Sequence, residues 1–303
     1  MTVTTAHATV PGQRRTPRAD CAAAPDGTIT FELDDPGGGS ASGADGGEAP
    51  ELLLRLRGGT GDHATLRLPL RPAGGNNRYR AVLPGTVEPA EGRWDVRLRR
   101  PGTDDGAAVP VEPGLRDLRL LVDRDATGAG RIAVRVPYPT ADGRLAVRCW
   151  VRSPHAEAGP VTFDGDGMTV EGALYGVVLG DGARVEARRD GASGRVHRAP
   201  VTGEAGTFSF TLPLTPLRDG PVREEQLWTL WLIPAADGGR AGEAAGERAG
   251  EVRISRLLDD VWDRRNVFVY PGRDIGEDAR ATPCYTGDND LCVRVGPRPG
   301  AGS

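Results

Sequence analysis

The segment PYPTADGRLAVR at residues 137–148 returns without a gap as PCYTGDNDLCVR at residues 283–294, and six of the twelve positions are identical. Both copies begin with proline and continue with Thr, Asp and a Gly or Asn. A predicted strand with the sequence Leu-x-Val-Arg follows in each. Tight turns favour Gly, Asn and Asp, and proline cannot donate a hydrogen bond inside a sheet. Each copy therefore predicts a β-hairpin that closes a module.

Shorter matches upstream extend this repeat towards the N-terminus. Insertions in turns, such as residues 238–250, can absorb the growing offset between the copies. The repeat predicts two homologous modules, at residues 26–152 and 159–296, joined by a short linker near residues 153–160. The matched pairs of segments are 94–98 with 228–232, 79–84 with 208–213, and 29–31 with 161–163.

Alternation of apolar and polar residues is the dominant pattern between the ends of the chain. It is typical of antiparallel strands that bury one face and expose the other, so we predict an all-β protein. Trp94 and Trp228 occupy the same repeat position and are predicted to be inward core anchors. The nearest helical spacing, at residues 255–265, predicts one short helix. The alternating segments are 66–70, 94–98, 132–136 and 208–214.

The terminal segments lack this alternation. We therefore predict that residues 1–25 and 297–303 are disordered and that residues 36–50 form a flexible loop. The first 25 residues contain no continuous apolar stretch like that of a secretory signal, so a cytoplasmic chain is expected. Cys284 and Cys292 flank one predicted turn and could face each other across it, but reduced thiols are the expectation in that compartment.

Composition excludes several classes of function. The 303 residues carry a formal net charge of -4, and all 38 cationic residues are arginine, so no global field recruits nucleic acid. No apolar run approaches the length of a bilayer span. The 44 glycines and 25 prolines indicate frequent turns.

The Leu-Pro strand ends, the Trp-x-x-x-Leu segments and the two closing motifs together resemble a known group of modules. These are the β-sandwich modules appended to bacterial wall-polymer and glycosyl transferases of the CDP-glycerol glycerophosphotransferase type. The resemblance covers residues 26–296 and implies two tandem immunoglobulin-like antiparallel β-sandwiches that contribute oligomer contacts or polymer binding. The long α/β catalytic half of those enzymes is not matched, so the resemblance transfers no catalytic residue and implies no cofactor.

Arginines that alternate with apolar residues are predicted to face outward and are the first candidate ligand contacts. Guanidinium groups suit phosphodiester or carboxylate groups of a polymer, but alternating arginine also solvates strands and protects sheet edges. Trp231 is a further candidate, because residues 227–233 are apolar on both faces and the second face must be covered. The other module, another subunit or a bound sugar ring could provide that cover. The candidate arginines are Arg97, Arg99, Arg148 and Arg294.

Two Asp-x-Asp segments are candidate metal sites. Asp288 and Asp290, like Asp164 and Asp166, have the spacing with which nucleotide-sugar transferases hold a divalent ion beside a diphosphate. Both segments fall in predicted turns, where Asp is favoured for backbone reasons alone.

The leading hypothesis is a non-catalytic accessory protein of a glycosyl or wall-polymer transferase system. Its expected partner is a transferase or an anionic glycan or polymer, and a homo-oligomer is possible. One alternative is a metal-dependent transferase that uses an Asp-x-Asp turn. Another is a purely structural oligomerisation module.

Overall fold

The computed structural model describes residues 16–34, 49–74, 78–122, 124, 130–191, 194–204, 206–218, 220–234 and 250–298. The chain divides into two compact units, the first within residues 1–120 and 135–149 and the second within 121–134 and 150–303. Strands predominate, so the all-β prediction is confirmed. No helix in these ranges is long and apolar enough to cross a membrane. The helical segments are α1 (Arg119–Val122) and the 3-10 turns Asp62–Ala64, Asp105–Ala107 and Thr215–Leu217.

The strands up to residue 152 form two sheets. Their bounds are β1 Arg18–Ala23, β2 Ile29–Asp34, β3 Glu51–Leu56, β4 Thr65–Pro69, β5 Arg71–Pro72, β6 Arg78–Leu83, β7 Gly92–Arg99, β8 Val109–Pro110, β9 Glu112–Asp117, β10 Ile132–Pro139 and β11 Leu145–Arg152. Strands β1 to β11 belong to the first unit, except that residues 132–134 of β10 and 150–152 of β11 belong to the second unit. One sheet has the order β5-β6-β2-β1-β9, and the other has the order β10-β11-β7-β3-β4 with β8 on β7. Trp94 is fully buried, which confirms it as a core anchor, and its indole N–H donates to the Ala90 carbonyl at 3.0 Å.

The strands of the second unit form one sheet that closes on itself. Their bounds are β12 His155–Asp164, β13 Gly167–Tyr175, β14 Arg184–Arg189, β15 Val196–Thr202, β16 Thr207–Pro213, β17 Gln226–Ile233, β18 Val252–Ser255, β19 Arg273–Asp274, β20 Ala279–Tyr285 and β21 Leu291–Pro297. The order β14-β15-β16-β13-β12-β18-β17 returns to β14, which gives a barrel-like ring, and β21-β20-β19 branch from β17. Trp228 is fully buried in the core, as predicted.

The same strand pairings occur in both units. The antiparallel pairs β1–β2, β2–β6 and β3–β7 correspond to β12–β13, β13–β16 and β14–β17, and parallel β1–β9 corresponds to β12–β18. In the second unit the single strand β18 pairs with both β12 and β17. In the first unit two separate strands take these places, since β9 pairs with β1 and β8 pairs with β7. This difference closes the ring in the second unit only. An immunoglobulin-like fold for each unit stays a prediction.

The two predicted closing hairpins are present, as β10–β11 and β20–β21. Gly143 donates its N–H to the Thr140 carbonyl at 3.0 Å, and Asn289 donates to Thr286 at 3.0 Å. Gly143 has φ 74° and Asn289 has φ 62°. Glycine and asparagine adopt this left-handed conformation most readily, which explains why these two residues share the repeat position.

Several predicted boundaries are wrong. Strand β1 lies at Arg18–Ala23, inside the predicted disordered tail 1–25, and β21 reaches Pro297. The predicted linker at 153–160 is mostly the start of β12. The pairings equate β1 with β12, so the match of residues 29–31 with 161–163 is shifted by one strand. The predictions for residues 1–15, 36–48 and 299–303 lie outside the described residues.

The short helix predicted at residues 255–265 does not form. The Glu157 carboxylate accepts the backbone N–H of Leu257 at 2.8 Å and that of Leu258 at 2.9 Å. The backbone N–H of Arg264 donates to the Asn289 side chain at 3.1 Å. In a helix the Arg264 N–H would donate to a carbonyl four residues earlier, but here it donates to Asn289 outside the segment, and residues 256–265 follow an irregular path.

Candidate binding crevice

Two strands share one edge of β17 in the second unit. Residues Gln226–Thr229 pair with β21, and Trp231–Leu232 pair with β18. Leu230 lies between these pairings, and a crevice of about 220 Å³ opens there. We call it the branch-point crevice; it is lined by Asp190, Thr229, Leu230, Trp231, Arg253, Thr286, Asp288, Asp290 and Leu291.

Trp231 forms one side of the crevice and is 9% exposed. The guanidinium carbons of Arg188 and Arg253 lie 5.1 Å and 4.8 Å from the centre of its ring. Its indole N–H donates to Thr229 Oγ1 at 3.1 Å. Because residues 227–233 are apolar on both faces, another group is expected to cover the second face. At Trp231 two arginines of the same unit do so through cation–π contacts.

Asp290 also lines the crevice and is 6% exposed. Its Oδ2 accepts from Arg253 Nη1 at 2.9 Å, and its Oδ1 accepts from the Ser255 hydroxyl at 2.6 Å. Arg152 Nη2 lies 3.8 Å from Oδ1. The carboxylate therefore ties β18 to the β20–β21 turn, and both of its oxygens have protein partners.

Asp288 is half-buried in the same turn, and its backbone carbonyl accepts the indole N–H of Trp150 at 3.2 Å. Within the part of the chain that the structure describes, no three His, Cys, Asp or Glu side chains are grouped so that they could hold a metal ion. A metal at Asp288 and Asp290 stays a prediction. The contacts of Asp290 are those of a structural ion pair.

We expect Asp290→Ala to lower the free energy of unfolding by about 1.5–3 kcal/mol, because a buried carboxylate with charged and hydroxyl donors is removed. Arg253 would keep its position beside Trp231 without its anionic partner. Urea titration followed by far-UV circular dichroism measures this loss. Asp288→Ala is the control and should cost less than half as much; equal losses would contradict the structural role of Asp290.

Glu186 lies beside Trp231 in the β14–β17 register and is 5% exposed. It accepts hydrogen bonds from Arg184 and Arg198 at 3.0 Å and from Arg188 at 2.8 Å. Burial raises the pKa of Glu186, but the hydrogen bonds from Arg188, Arg184 and Arg198 outweigh it and hold the pKa at about 2. Glu186 therefore holds Arg188 against the indole at ordinary pH.

This depressed pKa predicts a loss of stability in acid. The group is normally near 4.5 and lies at about 2 in the folded protein, so its contribution is present above 4.5 and disappears as the pH falls towards 2. Glu186→Gln should reduce the pH dependence of the free energy of unfolding between these two pH values. Denaturant titrations at a series of pH values measure this change in the free energy of unfolding. If the variant loses stability with falling pH as steeply as the wild-type protein does, other groups cause the acid sensitivity.

Two of the predicted arginines occupy positions on β7 of the first unit. Arg97 donates to the Ala108 carbonyl at 3.0 Å and 2.6 Å. Arg99 is 6% exposed and donates to Glu51 at 2.9 Å. The expectation of an outward Arg99 is wrong, because a carboxylate on the neighbouring β3 draws its guanidinium in.

The other two arginines share a repeat position but not an environment. Arg148 is 5% exposed in the first unit, whereas Arg294 is exposed in the second and pairs with Glu225 at 3.1 Å. An outward Arg148 is therefore also wrong. The structure gathers Trp231, Asp288 and Asp290 into one crevice and places none of the four predicted arginines in its lining.

Sequence reasoning missed Arg253 and Arg188, which meet Trp231 only through strand pairing. The available signal was weak: Arg253 alternates with Val252 and Ile254, as a solvent-facing residue does. The internal repeat shows how the position of Trp231 differs between the two units. Arg97 occupies the repeat position in the first unit that Trp231 occupies in the second. The cross-strand partner of Arg97 is Pro110, whereas that of Trp231 is Arg253.

Comparison with known proteins gives only distant similarity. No family model matches the chain, and no curated protein matches it. Similar solved structures include S. aureus TarS 217-571, at 17% identity over 65% of this chain and 55% of that chain with a TM-score of 0.29. S. aureus TarS itself gives 15% identity over 64% and 34% of the two chains with a TM-score of 0.30.

A chimeric titin Z1Z2 carrying a KLER peptide from decorin is also similar, at 12% identity over 80% and 97% of the chains with a TM-score of 0.18. TarS is a wall teichoic acid glycosyltransferase. The aligned part of this chain spans between about a third and just over half of the TarS chains. All three similarities combine identities of 17% or less with TM-scores of 0.30 or less.

Proposed function

We propose that this protein is a non-catalytic accessory protein of a glycosyl or wall-polymer transferase system, and that the branch-point crevice binds a sugar unit of a polymer. The observation that carries the proposal is the composition of the crevice. Two threonines, three aspartates and an arginine line it together with Trp231, Leu230 and Leu291. Apolar walls with a few convergent polar groups are typical of small-molecule sites, and sugars offer both hydroxyl groups and apolar C–H surface to such walls.

The charge of the crevice favours an uncharged sugar over an anionic group. Three aspartates and one arginine line it, and that arginine is already paired with Asp290. A phosphodiester would meet a net negative wall. The proposal therefore departs from the anionic polymer expected from the sequence.

The size of the crevice favours one sugar unit at a time. Its volume of about 220 Å³ lies below the range of roughly 300–1,000 Å³ usual for drug-sized ligands. A longer polymer would place a single residue in the crevice and run outside it. Association with a transferase rests on the sequence resemblance of the closing motifs.

Calorimetric titration tests the proposal with uncharged hexoses, N-acetylhexosamines, and glycerol-phosphate polymers with and without attached sugars. Wild-type protein should bind the sugars and the glycosylated polymer. Asp288→Ala should weaken binding by about tenfold or more, as expected for loss of a charged hydrogen-bond acceptor. Asp142→Ala is the matched control, because Asp142 has the same position in the other closing hairpin.

Asp142→Ala should leave the affinity unchanged. Binding of the bare phosphate polymer alone, equal losses in both variants, or no binding by the wild-type protein would each contradict the proposal.

A further inference from the structure

Cys284 and Cys292 lie directly opposite each other on β20 and β21. Both thiols are free, and their sulfur atoms are 3.2 Å apart. Directly opposed residues in an antiparallel pair have Cα atoms about 4.5–5.5 Å apart. A disulfide spans Cα separations of about 4.4–6.8 Å. The hairpin therefore holds the two cysteines at a distance that a disulfide can bridge without a change of strand register.

The two thiols differ in a way that suits sequential chemistry. Cys284 is half-buried, whereas Cys292 is 1% exposed and contacts the Cys284 carbonyl through its thiol at 3.3 Å. The hydrogen bond from Cys292 and the positive charge of Arg294 lower the pKa of Cys284. The same partnership and burial raise the pKa of Cys292. Cys284 is thus the more accessible thiol, and Cys292 is the buried thiol that contacts it.

The remaining cysteines provide an internal comparison. Cys21 and Cys149 belong to the first unit and are 4% and 1% exposed. Burial raises the pKa of both thiols to about 12. Neither has the exposure or the thiolate character that reactive cysteines need.

We propose that Cys284 and Cys292 form a reversible redox pair that low-molecular-weight disulfides oxidise. The Cys284 thiolate attacks one sulfur of the small disulfide, forms a mixed disulfide and releases one small thiolate. Cys292 then loses its proton and attacks the Cys284 sulfur, which forms the Cys284–Cys292 bond and releases the second small thiolate. Two protein thiols are oxidised, and one small disulfide is reduced to two small thiols.

The bond would close the hairpin at the base of a turn that belongs to the branch-point crevice. Residues 285–291 lie between the cysteines and contribute Thr286, Asp288, Asp290 and Leu291 to the lining. Cys292 also pairs in register with Thr229, which lines the crevice. Oxidation would fix one wall of the crevice, yet the redox pair needs no ligand and stands apart from the proposed function.

The test treats the folded full-length protein with hydroxyethyl disulfide, which is small and uncharged, and then alkylates the remaining thiols for peptide mass mapping. Wild-type protein should lose two hydrogens, retain no adduct and yield a cross-linked peptide pair containing Cys284 and Cys292. Cys292→Ser should instead retain a mixed disulfide at Cys284. Cys284→Ser should react much more slowly.

Reduction should restore both thiols, while Cys21 and Cys149 remain alkylatable only after unfolding. A wild-type protein that keeps a stable adduct at Cys284, that stays fully reduced, or that links other cysteines would overturn the proposal. Because the wild-type result is read without any variant, a Cys variant that fails to fold leaves the test intact.

Discussion

Replacing Arg264 with alanine is expected to lower the free energy of unfolding by about 3–5 kcal/mol, the cost of removing one partner of a buried ion pair. The Arg264 side chain is fully buried, and Nη2 donates to Asp259. Its Nε donates to the Arg256 carbonyl at 2.7 Å. Its guanidinium carbon lies 5.0 Å from the ring centre of Phe268 and 5.9 Å from that of Tyr285. The truncation therefore leaves a cavity, removes the donor to the Arg256 carbonyl and takes the buried cation away from Asp259, which keeps only the Val261 N–H at 2.9 Å and Arg256 Nε at 3.7 Å.

Arg265→Ala is the matched control for this prediction. Arg265 follows in sequence, pairs with Asp263 and has a side chain that is 56% exposed. An exposed pair of this kind contributes at most about 1 kcal/mol. Denaturant titration followed by far-UV circular dichroism compares the two variants. Similar losses in both variants would contradict the prediction that the buried Arg264 contributes far more stability than the exposed Arg265.

Trp228→Ala is expected to cost about 3–5 kcal/mol, the usual range for truncating a buried aromatic residue. Trp228 is fully buried on β17, the strand that pairs with β14, β18 and β21. Its ring centre lies 5.2 Å from that of His197. The cavity would open where β21 pairs with β17, at the point where the branch of β21, β20 and β19 leaves the ring.

Hydrogen exchange of the β14, β17 and β21 amides measures the effect of Trp228→Ala, because a weakened branch exchanges through more frequent opening. Leu227→Ala serves as the control on the same strand, since Leu227 is half-buried and its truncation should cost about 1 kcal/mol. Unchanged protection of these three strands in Trp228→Ala would contradict the role of Trp228 as the core anchor.

Alternation in the sequence was sufficient where the inward residues are large. Strand β16 presents Phe208, Phe210 and Leu212 to the core, and the pattern predicted it. Strand β1 alternates in the same way, but its inward residues are Ala19, Cys21 and Ala23. Small side chains give a weak pattern and alanine has a low strand propensity, so this strand depends on pairing with β2 and β9.

Gly159 and Pro160 give the start of β12 the composition of a linker. The strand register shifts between Ala158 and Val161, and a bulge of this kind accommodates a residue that has no N–H to donate. The bulge depends on the position of β13, which local sequence does not define.

The crevice was predictable in part. Trp231 was a candidate because residues 227–233 are apolar on both faces, and Asp288 and Asp290 were candidates for an unrelated reason, their spacing. Only the pairing of β17 with both β18 and β21 brings the three together and adds Arg253. That pairing is a property of distant segments, which explains why no local pattern indicated it.

A chemical-shift titration of the wild-type protein with an uncharged hexose or N-acetylhexosamine tests the central claim most directly, because it locates the ligand as well as detecting it. Binding at the branch-point crevice predicts saturable shifts at the indole N–H of Trp231 and at the amides of residues 286–291. Absence of shifts there, or shifts centred on the corresponding turn at residues 140–145, would contradict the account.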